Sequence, residues 1–170
     1  NAGRGFSGRR DASNIESIEV LKGPGSALYG RSEPGGTINI VTKKPQFDPQ
    51  GSVELSAGSF STYRVAGDYT GPLAGDVVAF RINGAYEDAD SFRDYFTSKK
   101  YTLTPSILVN FSSSTALSYE LELVKQEAPF DRGVVAVNGV LGRVPNSRFL
   151  GEPNDGVTEI QRPLTTVTFS

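Results

Sequence analysis

Apolar and polar residues alternate with a period of two along most of the chain beyond residue 52. The alternation is clearest over residues 53–57, 63–70, 80–87, 101–111 and 117–123, and a sixth segment begins at Pro163. A period of two places successive side chains on opposite faces of a β-strand, so each segment has one apolar and one polar face. The sequence therefore predicts an all-β fold with six antiparallel strands.

The length of these segments and the position of their aromatic residues favour strands that cross a membrane. The segments run to about 9–11 residues, the length that crosses a bilayer at a tilt, whereas strands of soluble proteins most often have about 5–6 residues. The predicted connections alternate between short and long, as in membrane barrels. They span residues 58–62, 71–76, 88–100, 112–114 and 126–159, and the third and fifth are the longest. A soluble β-sheet remains the alternative because it alternates in the same way. The aromatic residues near segment ends are Tyr63, Tyr69, Tyr86, Tyr101 and Phe111.

Composition excludes several classes of protein. The 170 residues carry a formal net charge of −2, which gives no argument for a nucleic-acid partner. Cysteine and histidine are both absent, so there is no disulfide, no thiol metal site and no histidine general base. Without them no usual nucleophile–base pair can be assembled, and we predict that the protein is not an enzyme. The chain begins without a leader and ends inside a predicted strand, so we expect both ends to be cut points.

Residues 18–45 form a second pattern, with a short apolar strand, a loop rich in glycine and proline, a β-branched strand and a final proline. The two strand segments are residues 18–21 and 37–42, and breaks at residues 23–25 and 34–36 separate them. Leu28 and Tyr29 are the only large apolar residues in the loop. Upstream, Ser13 and Glu16 have the spacing of a capping box, which predicts one helical turn.

Two glycine-rich stretches match letters of nucleotide-binding motifs but lack their context. Residues 3–8 satisfy a dinucleotide fingerprint, yet no strand precedes them and no periodic helix follows. Residues 25–32 nearly match a phosphate loop, but Arg31 stands where that loop needs lysine, and Pro34 cannot continue a helix. We therefore predict neither a dinucleotide site nor an NTPase.

The stretch 18–45 closely resembles the end of the plug domain of TonB-dependent outer-membrane receptors, in particular the ferric-siderophore branch. The resemblance rests on residues 18–24 (IEVLKGP), 27–30 (ALYG) and 34–45 (PGGTINIVTKKP). It implies that residues 1–45 are the C-terminal part of a plug domain and residues 46–51 a linker. Residues 52–170 would then be the first six antiparallel strands of a transmembrane β-barrel of the 22-strand type, incomplete in this chain.

The resemblance implies a function at the bacterial outer membrane. The expected activity is uptake of a ferric siderophore, energised through the TonB complex, with outer-membrane lipid as surroundings and no nucleic acid as partner. No cofactor is implied, since iron is carried only as the ferric-siderophore chelate. Two alternatives remain: a TonB-dependent receptor for haem, cobalamin or a saccharide, and a soluble β-rich binding module.

The resemblance also implies site residues. It places Leu28 and Tyr29 in an apical plug loop that touches siderophore, where an aromatic ring with one hydroxyl suits an apolar chelate rim; the alternative for Tyr29 is packing against the barrel wall. Arg4 and Phe6 match an Arg-Gly-Phe element near the ligand-facing apex. No catalytic or metal-binding residue is predicted. The predicted plug–barrel ion-pair partners are Lys22, Arg31, Lys43 and Lys44. The external-loop candidates are Phe130, Arg132 and Phe149.

Overall fold

A two-stranded unit and a six-stranded sheet make up the described part of the chain. The computed structural model describes residues 11–23 and 36–170. A single 3-10 turn at Ala12–Asn14 leads into β1 (Ile15–Lys22), which pairs antiparallel with β2 (Gly36–Thr42). Within the described residues, no helix is long and apolar enough to span a membrane.

The six-stranded sheet is antiparallel, and its strands follow one another in sequence order. This confirms the all-β prediction and its six antiparallel strands. The strands are β3 (Gln50–Gly58), β4 (Thr62–Ala74), β5 (Val78–Asp90), β6 (Thr97–Ser112), β7 (Thr115–Ala128) and β8 (Thr158–Phe169).

Most strands extend further than hydropathy alone predicts. β6 has 16 residues, and β4 and β5 have 13 each. β3 begins at Gln50, so the last two residues of the predicted linker lie in a strand. The loop predicted over residues 88–100 shortens to 91–96, and the one predicted over 126–159 shortens to 129–157. The reason is that polar residues also make cross-strand backbone hydrogen bonds, which hydropathy does not register.

Asp11 caps the turn upstream of β1, so the predicted capping box at Ser13 and Glu16 is wrong. The backbone N–H of Ser13 donates to Asp11 Oδ1 at 2.9 Å. β1 begins at Ile15, opposite Thr42 of β2, and Glu16 therefore lies in a strand. The carboxylate of Asp11 is a strong N-cap acceptor, and early pairing with β2 leaves no room for a longer helix.

One face of the sheet is covered by the residues around β1 and β2 and is polar. The opposite face is exposed and apolar. Asn83 and Thr104 are fully buried and Arg81 is 8% exposed, whereas Val53 on the opposite face is 77% exposed. The predicted two-faced strands are thus confirmed, and the distribution is the reverse of a soluble β-sandwich, which buries its apolar faces. One cross-strand row of the exposed face consists of Val53, Gly67, Gly84, Leu103, Leu123 and Pro163.

Aromatic and charged side chains border the exposed apolar face. Tyr101 and Phe111 lie on this face of β6, separated by about 33 Å along the strand at about 3.3 Å per residue. At a tilt of about 40° this separation covers about 25 Å of depth, the height of the apolar band of a membrane barrel. The rings of Tyr86 and Tyr101 lie 4.9 Å apart at one border. Just beyond them the same face carries Asp88 and Lys99, which face each other across the strands.

Pro105 lies inside β6 and interrupts its pairing with β7. The register runs from Leu103 opposite Leu123 and resumes at Ser106 opposite Glu120. Two residues separate these pairs on each strand, so the ladder is broken without a bulge. The cause is that proline has no backbone N–H to donate to the ladder.

The longer connections lie together at one end of the sheet. In an antiparallel order, the connections over residues 59–61, 91–96 and 129–157 share one end, and those over 75–77 and 113–114 share the other. We call the first the long-loop end. The 91–96 and 129–157 loops are the two longest connections of the sheet, in agreement with the predicted order of short and long connections.

Candidate functional site

The residues around β1 and β2 bind to the polar face of the sheet through charged clusters. We call residues 11–23 and 36–46 the amino-terminal unit. Asp11 lies at the centre of the first cluster, where Arg64 of β4 donates to both carboxylate oxygens at 2.8 and 2.9 Å. Lys100 of β6 approaches the same carboxylate to 3.3 Å. One buried acid of the unit is thus held by cations from two strands of the sheet.

The pKa of Asp11 lies well below the ordinary value for an aspartate. Burial opposes ionisation and would raise this pKa, but the hydrogen bonds from Arg64 and the backbone of Ser13, together with the charge of Lys100, lower it by more. A carboxyl group with a lowered folded-state pKa adds stability above its unfolded pKa of about 4. That contribution is lost as the pH falls toward the folded-state pKa.

Asp11→Asn should destabilise the full-length protein in a pH-dependent way. The variant loses the charge-assisted bonds to Arg64 and Lys100, and we expect a cost of about 2 kcal/mol at pH 6. At pH 3 the cost should be smaller, because the wild-type protein has by then begun to lose the contribution of Asp11. Equilibrium urea unfolding of both proteins at the two pH values measures this difference. An equal cost at both values would contradict the role assigned to the Asp11 charge.

Asp68 of β4 lies at the centre of a second cluster nearer the other end of the sheet. Arg81 of β5 donates to it twice, from Nε at 2.9 Å and from Nη2 at 2.6 Å. Lys43 of the amino-terminal unit donates from Nζ at 3.0 Å. Arg81 also donates from Nη1 to the backbone carbonyl of Lys44 at 2.9 Å. The guanidinium group of Arg81 therefore joins two sheet strands and the amino-terminal unit.

Hydrogen bonds between uncharged groups also join the amino-terminal unit to the polar face of the sheet. The hydroxyl of Thr70 accepts from the backbone N–H of Gln46 at 2.8 Å and donates to the carbonyl of Phe80 at 2.8 Å. The side-chain amide of Asn83 lies 3.2 Å from Oδ1 of Asn14. These groups fix the amino-terminal unit on the sheet by polar contacts, and such contacts specify position more strictly than apolar packing does.

Only part of the predicted site lies among the described residues. Arg4, Phe6, Leu28, Tyr29 and Arg31 lie outside them, so their predicted roles stay predictions. Lys22 lies at the end of β1, opposite Gly36. The side chain of Lys43 donates to Asp68, and the backbone carbonyl of Lys44 accepts from Arg81.

The external-loop candidates lie around one cleft in the 129–157 loop. The cleft has a volume of about 580 Å³. The guanidinium carbon of Arg132 lies 5.2 Å from the centre of the Phe130 ring, within cation–π range. Phe149 is 8% exposed, and a Cβ on Gly151 would come within 2.6 Å of its ring. The residues lining the cleft include Phe130, Arg132, Phe149, Leu150, Glu152 and Asp155.

The cleft offers aromatic surface together with charges of both signs. Such a lining suits a ligand that has an apolar rim and polar or charged groups. Among the described residues, no group of three or more acidic side chains is gathered in a way that could hold a metal ion.

Sequence reasoning singled out one cation of the polar interface and missed the two acids at the centres of its clusters. Lys43 was assigned to it, whereas Asp11 and Asp68 were not assigned to any site. The available signal was the charge on the polar face of the alternating strands, where Arg64 and Arg81 stand out among serines and threonines. Their partners cannot be read from spacing, because Asp11 and Arg64 are 53 residues apart.

Comparisons with known proteins identify the class to which this fold and interface belong. Residues 1–37 match the family model described as the TonB-dependent receptor plug domain. The solved structure of the ferric-catecholate import receptor Fiu from Escherichia coli superposes with a TM-score of 0.81 at 28% identity, over 94% of this chain and 26% of that one. The resemblance seen in the sequence is confirmed: the chain belongs to the TonB-dependent outer-membrane receptors.

Two curated relatives are more similar in sequence. The metal-pseudopaline receptor CntO of Pseudomonas aeruginosa is 46% identical over 158 residues, which is 92% of this chain and 22% of the relative. The ferrioxamine receptor of Yersinia enterocolitica is 34% identical over the same shares of the two chains. The chain thus spans about a fifth of the length of the curated relatives it matches.

Proposed function

We propose that this chain is part of an outer-membrane receptor that takes up a ferric siderophore and is energised through the TonB complex. The observation that carries the proposal is the similarity, over nearly the whole chain, to receptors whose names specify siderophores. The ferrioxamine receptor of Yersinia enterocolitica is 34% identical, and the ferrioxamine B receptor of Salmonella typhimurium is 37% identical. Fiu, a ferric-catecholate import receptor, supports the same class of ligand.

In this proposal the long-loop end faces the outside of the cell and the 129–157 loop contributes to ligand capture. Its cleft presents Phe130 and Phe149 as apolar surface and Arg132 as a cation. The receptor performs no chemistry on the ligand and holds no cofactor, and iron passes through it only inside the chelate. The exposed apolar face of the sheet contacts outer-membrane lipid.

The amino-terminal unit acts in this proposal as the C-terminal part of the plug, and apart from Gln46 it lies within the predicted domain of residues 1–45. Its contacts with the sheet are ion pairs and hydrogen bonds, centred on Asp11 and Asp68. Polar contacts of this kind can hold the plug in one position and can be replaced by water when the plug moves. The interface therefore supports both a closed pore and its opening.

A second candidate ligand is a metal complex other than a ferric siderophore. The specific observation in its favour is the 46% identity to a protein named metal-pseudopaline receptor, which exceeds the identity to the ferrioxamine receptors. Both candidates share the same class of ligand, a metal chelate, and differ in the chelator.

Binding to the purified full-length receptor decides between the two candidates. We would titrate it with ferrioxamine B, with metal-pseudopaline and with each chelator free of metal, and measure heat release by calorimetry. The proposed function expects submicromolar binding of ferrioxamine B or another ferric siderophore and weak binding of the free chelator. Selective binding of metal-pseudopaline would favour the second candidate. Binding of neither class would contradict both.

Tyr29→Ala should weaken binding of the ferric siderophore about ten-fold, the loss expected when a central aromatic contact is removed. Tyr29→Phe should retain most of the affinity if the ring carries the contact, and should lose it if the hydroxyl does. Tyr119→Ala is the matched control, since Tyr119 lies on the exposed apolar face of the sheet, on β7 opposite Val167. Unchanged affinity in Tyr29→Ala would leave packing against the barrel wall as the role of Tyr29.

A further inference from the structure

One arginine joins two loops at the long-loop end. Arg93 belongs to the 91–96 loop, and its Nε lies 2.5 Å from Oδ2 of Asp131. Its Nη1 donates to the backbone carbonyl of Asn146 at 2.9 Å and to that of Arg148 at 3.1 Å. Asp131 lies on the outgoing limb of the 129–157 loop, and Asn146 and Arg148 lie on the returning limb. A single planar guanidinium group thus bonds both limbs at once.

The backbone around Arg93 is itself well anchored. The backbone N–H of Arg93 donates to the hydroxyl of Ser91 at 3.2 Å, and the guanidinium carbon lies 5.4 Å from the centre of the Phe92 ring. The next residue, Asp94, donates its backbone N–H to the carbonyl of Ser147 at 2.7 Å. The side chain of Arg93 is mostly buried among these groups. It is therefore a fixed point against which the longer loop is ordered.

The 129–157 loop has little regular structure of its own. The one pairing within it is an isolated bridge between Val137 and Val140, around a turn with positive φ at Asn138 and Gly139. Ordering so long a segment costs substantial conformational entropy. Contacts from outside the loop must offset that cost, and Arg93 supplies three of them, one to the outgoing limb and two to the returning limb.

The positions that Arg93 bonds lie next to the residues that line the cleft. Asp131 stands between Phe130 and Arg132, and Arg148 directly precedes Phe149. We propose that Arg93 is a positioning residue that holds the two limbs of the 129–157 loop at a fixed separation and so sets the shape of the cleft. This inference rests on the proposed function only for the identity of the ligand, and the ordering of the loop can be tested without any ligand.

Hydrogen exchange on the full-length receptor without ligand tests the ordering. In Arg93→Ala, the hydrogen-bonded amides of Gly133 and Arg148 should exchange about ten- to a hundred-fold faster, the factor expected when charge-assisted hydrogen bonds are lost. Arg93→Lys should restore little of the protection, because a lysine cannot present the planar fork that reaches both limbs. Arg143→Ala is the matched control, an exposed arginine of the same loop, and should leave exchange unchanged.

Affinity and global stability complete the test. Arg93→Ala should weaken binding of ferrioxamine B about ten-fold relative to Arg143→Ala, while the urea midpoint of the barrel stays unchanged. Loop exchange that is unchanged in Arg93→Ala, or faster exchange spread over β5–β8, would overturn the inference. If the wild-type receptor binds no ferrioxamine B, the exchange measurement alone decides: faster exchange confined to the loop upholds the role of Arg93, although the ligand would then be a different one.

Discussion

Arg81→Ala should lower the free energy of unfolding of the full-length receptor by about 3–5 kcal/mol, the loss typical of removing one partner from a buried ion pair. Arg81 is buried on the polar face and donates twice to Asp68 and once to the carbonyl of Lys44. The variant leaves Asp68 with Lys43 as its remaining cation and leaves the carbonyl of Lys44 without its bond from Arg81. Equilibrium urea unfolding in phospholipid vesicles measures the loss.

Two further variants show whether the loss comes from the buried pair. Lys99→Ala removes an exposed cation that lies 3.8 Å from Asp88 on the other face, and should cost less than about 1 kcal/mol. The double variant Asp68→Ala with Arg81→Ala should cost less than the sum of the two single variants, since the second substitution removes a charge already left unpaired. Equal losses in Arg81→Ala and Lys99→Ala would mean that the cluster contributes no more than a surface pair.

Leu103→Arg should destabilise the receptor by about 2–4 kcal/mol, the cost of an arginine on the lipid face near the bilayer midplane. Leu103 lies in the middle of β6, on the exposed apolar face, in the row that includes Gly84 and Leu123. An arginine here has no polar partner in its row and must extend toward the membrane surface. The same unfolding assay in vesicles measures the cost.

Phe111→Arg is the control for depth. Phe111 lies on the same strand and the same face as Leu103 but at the end of β6. At this border the cost of an arginine falls to about 0–1 kcal/mol, although the loss of the aromatic ring adds to it. Similar costs at the two positions would contradict the placement of the apolar face in lipid.

The fold was predictable from sequence to the extent that it depends on local pattern. Alternation fixes which face of a strand each residue occupies, and the exposed and covered faces of β4–β7 follow that pattern. The cap of the first turn was mispredicted because two acceptors, Asp11 and Ser13, compete within three residues. Strand ends were mispredicted because polar residues such as Gln50 pair as readily as apolar ones.

The candidate site was less predictable, because its contacts join residues far apart in the chain. Lys43 and Asp68 are 25 residues apart, and Arg93 and Arg148 are 55 apart. No spacing rule links such pairs, so Arg93 has no signal in the sequence beyond its charge. By contrast, the strand pattern leaves one long loop, and Phe130, Arg132 and Phe149 all lie in it and line its cleft. Their role in ligand binding stays a prediction.

The polar face of the sheet has a thermodynamic consequence for any movement of the amino-terminal unit. The groups that separation would wet include the hydroxyl of Thr70, the amide of Asn83 and the carboxylate of Asp68, with little apolar surface among them. Hydrating polar groups lowers the heat capacity, whereas hydrating apolar groups raises it. Withdrawal of the unit would thus be accompanied by a small or negative heat-capacity change, unlike the unfolding of a hydrophobic core. A plot of the free energy that holds the unit in place against temperature would therefore show little curvature over the temperatures at which a bacterium grows.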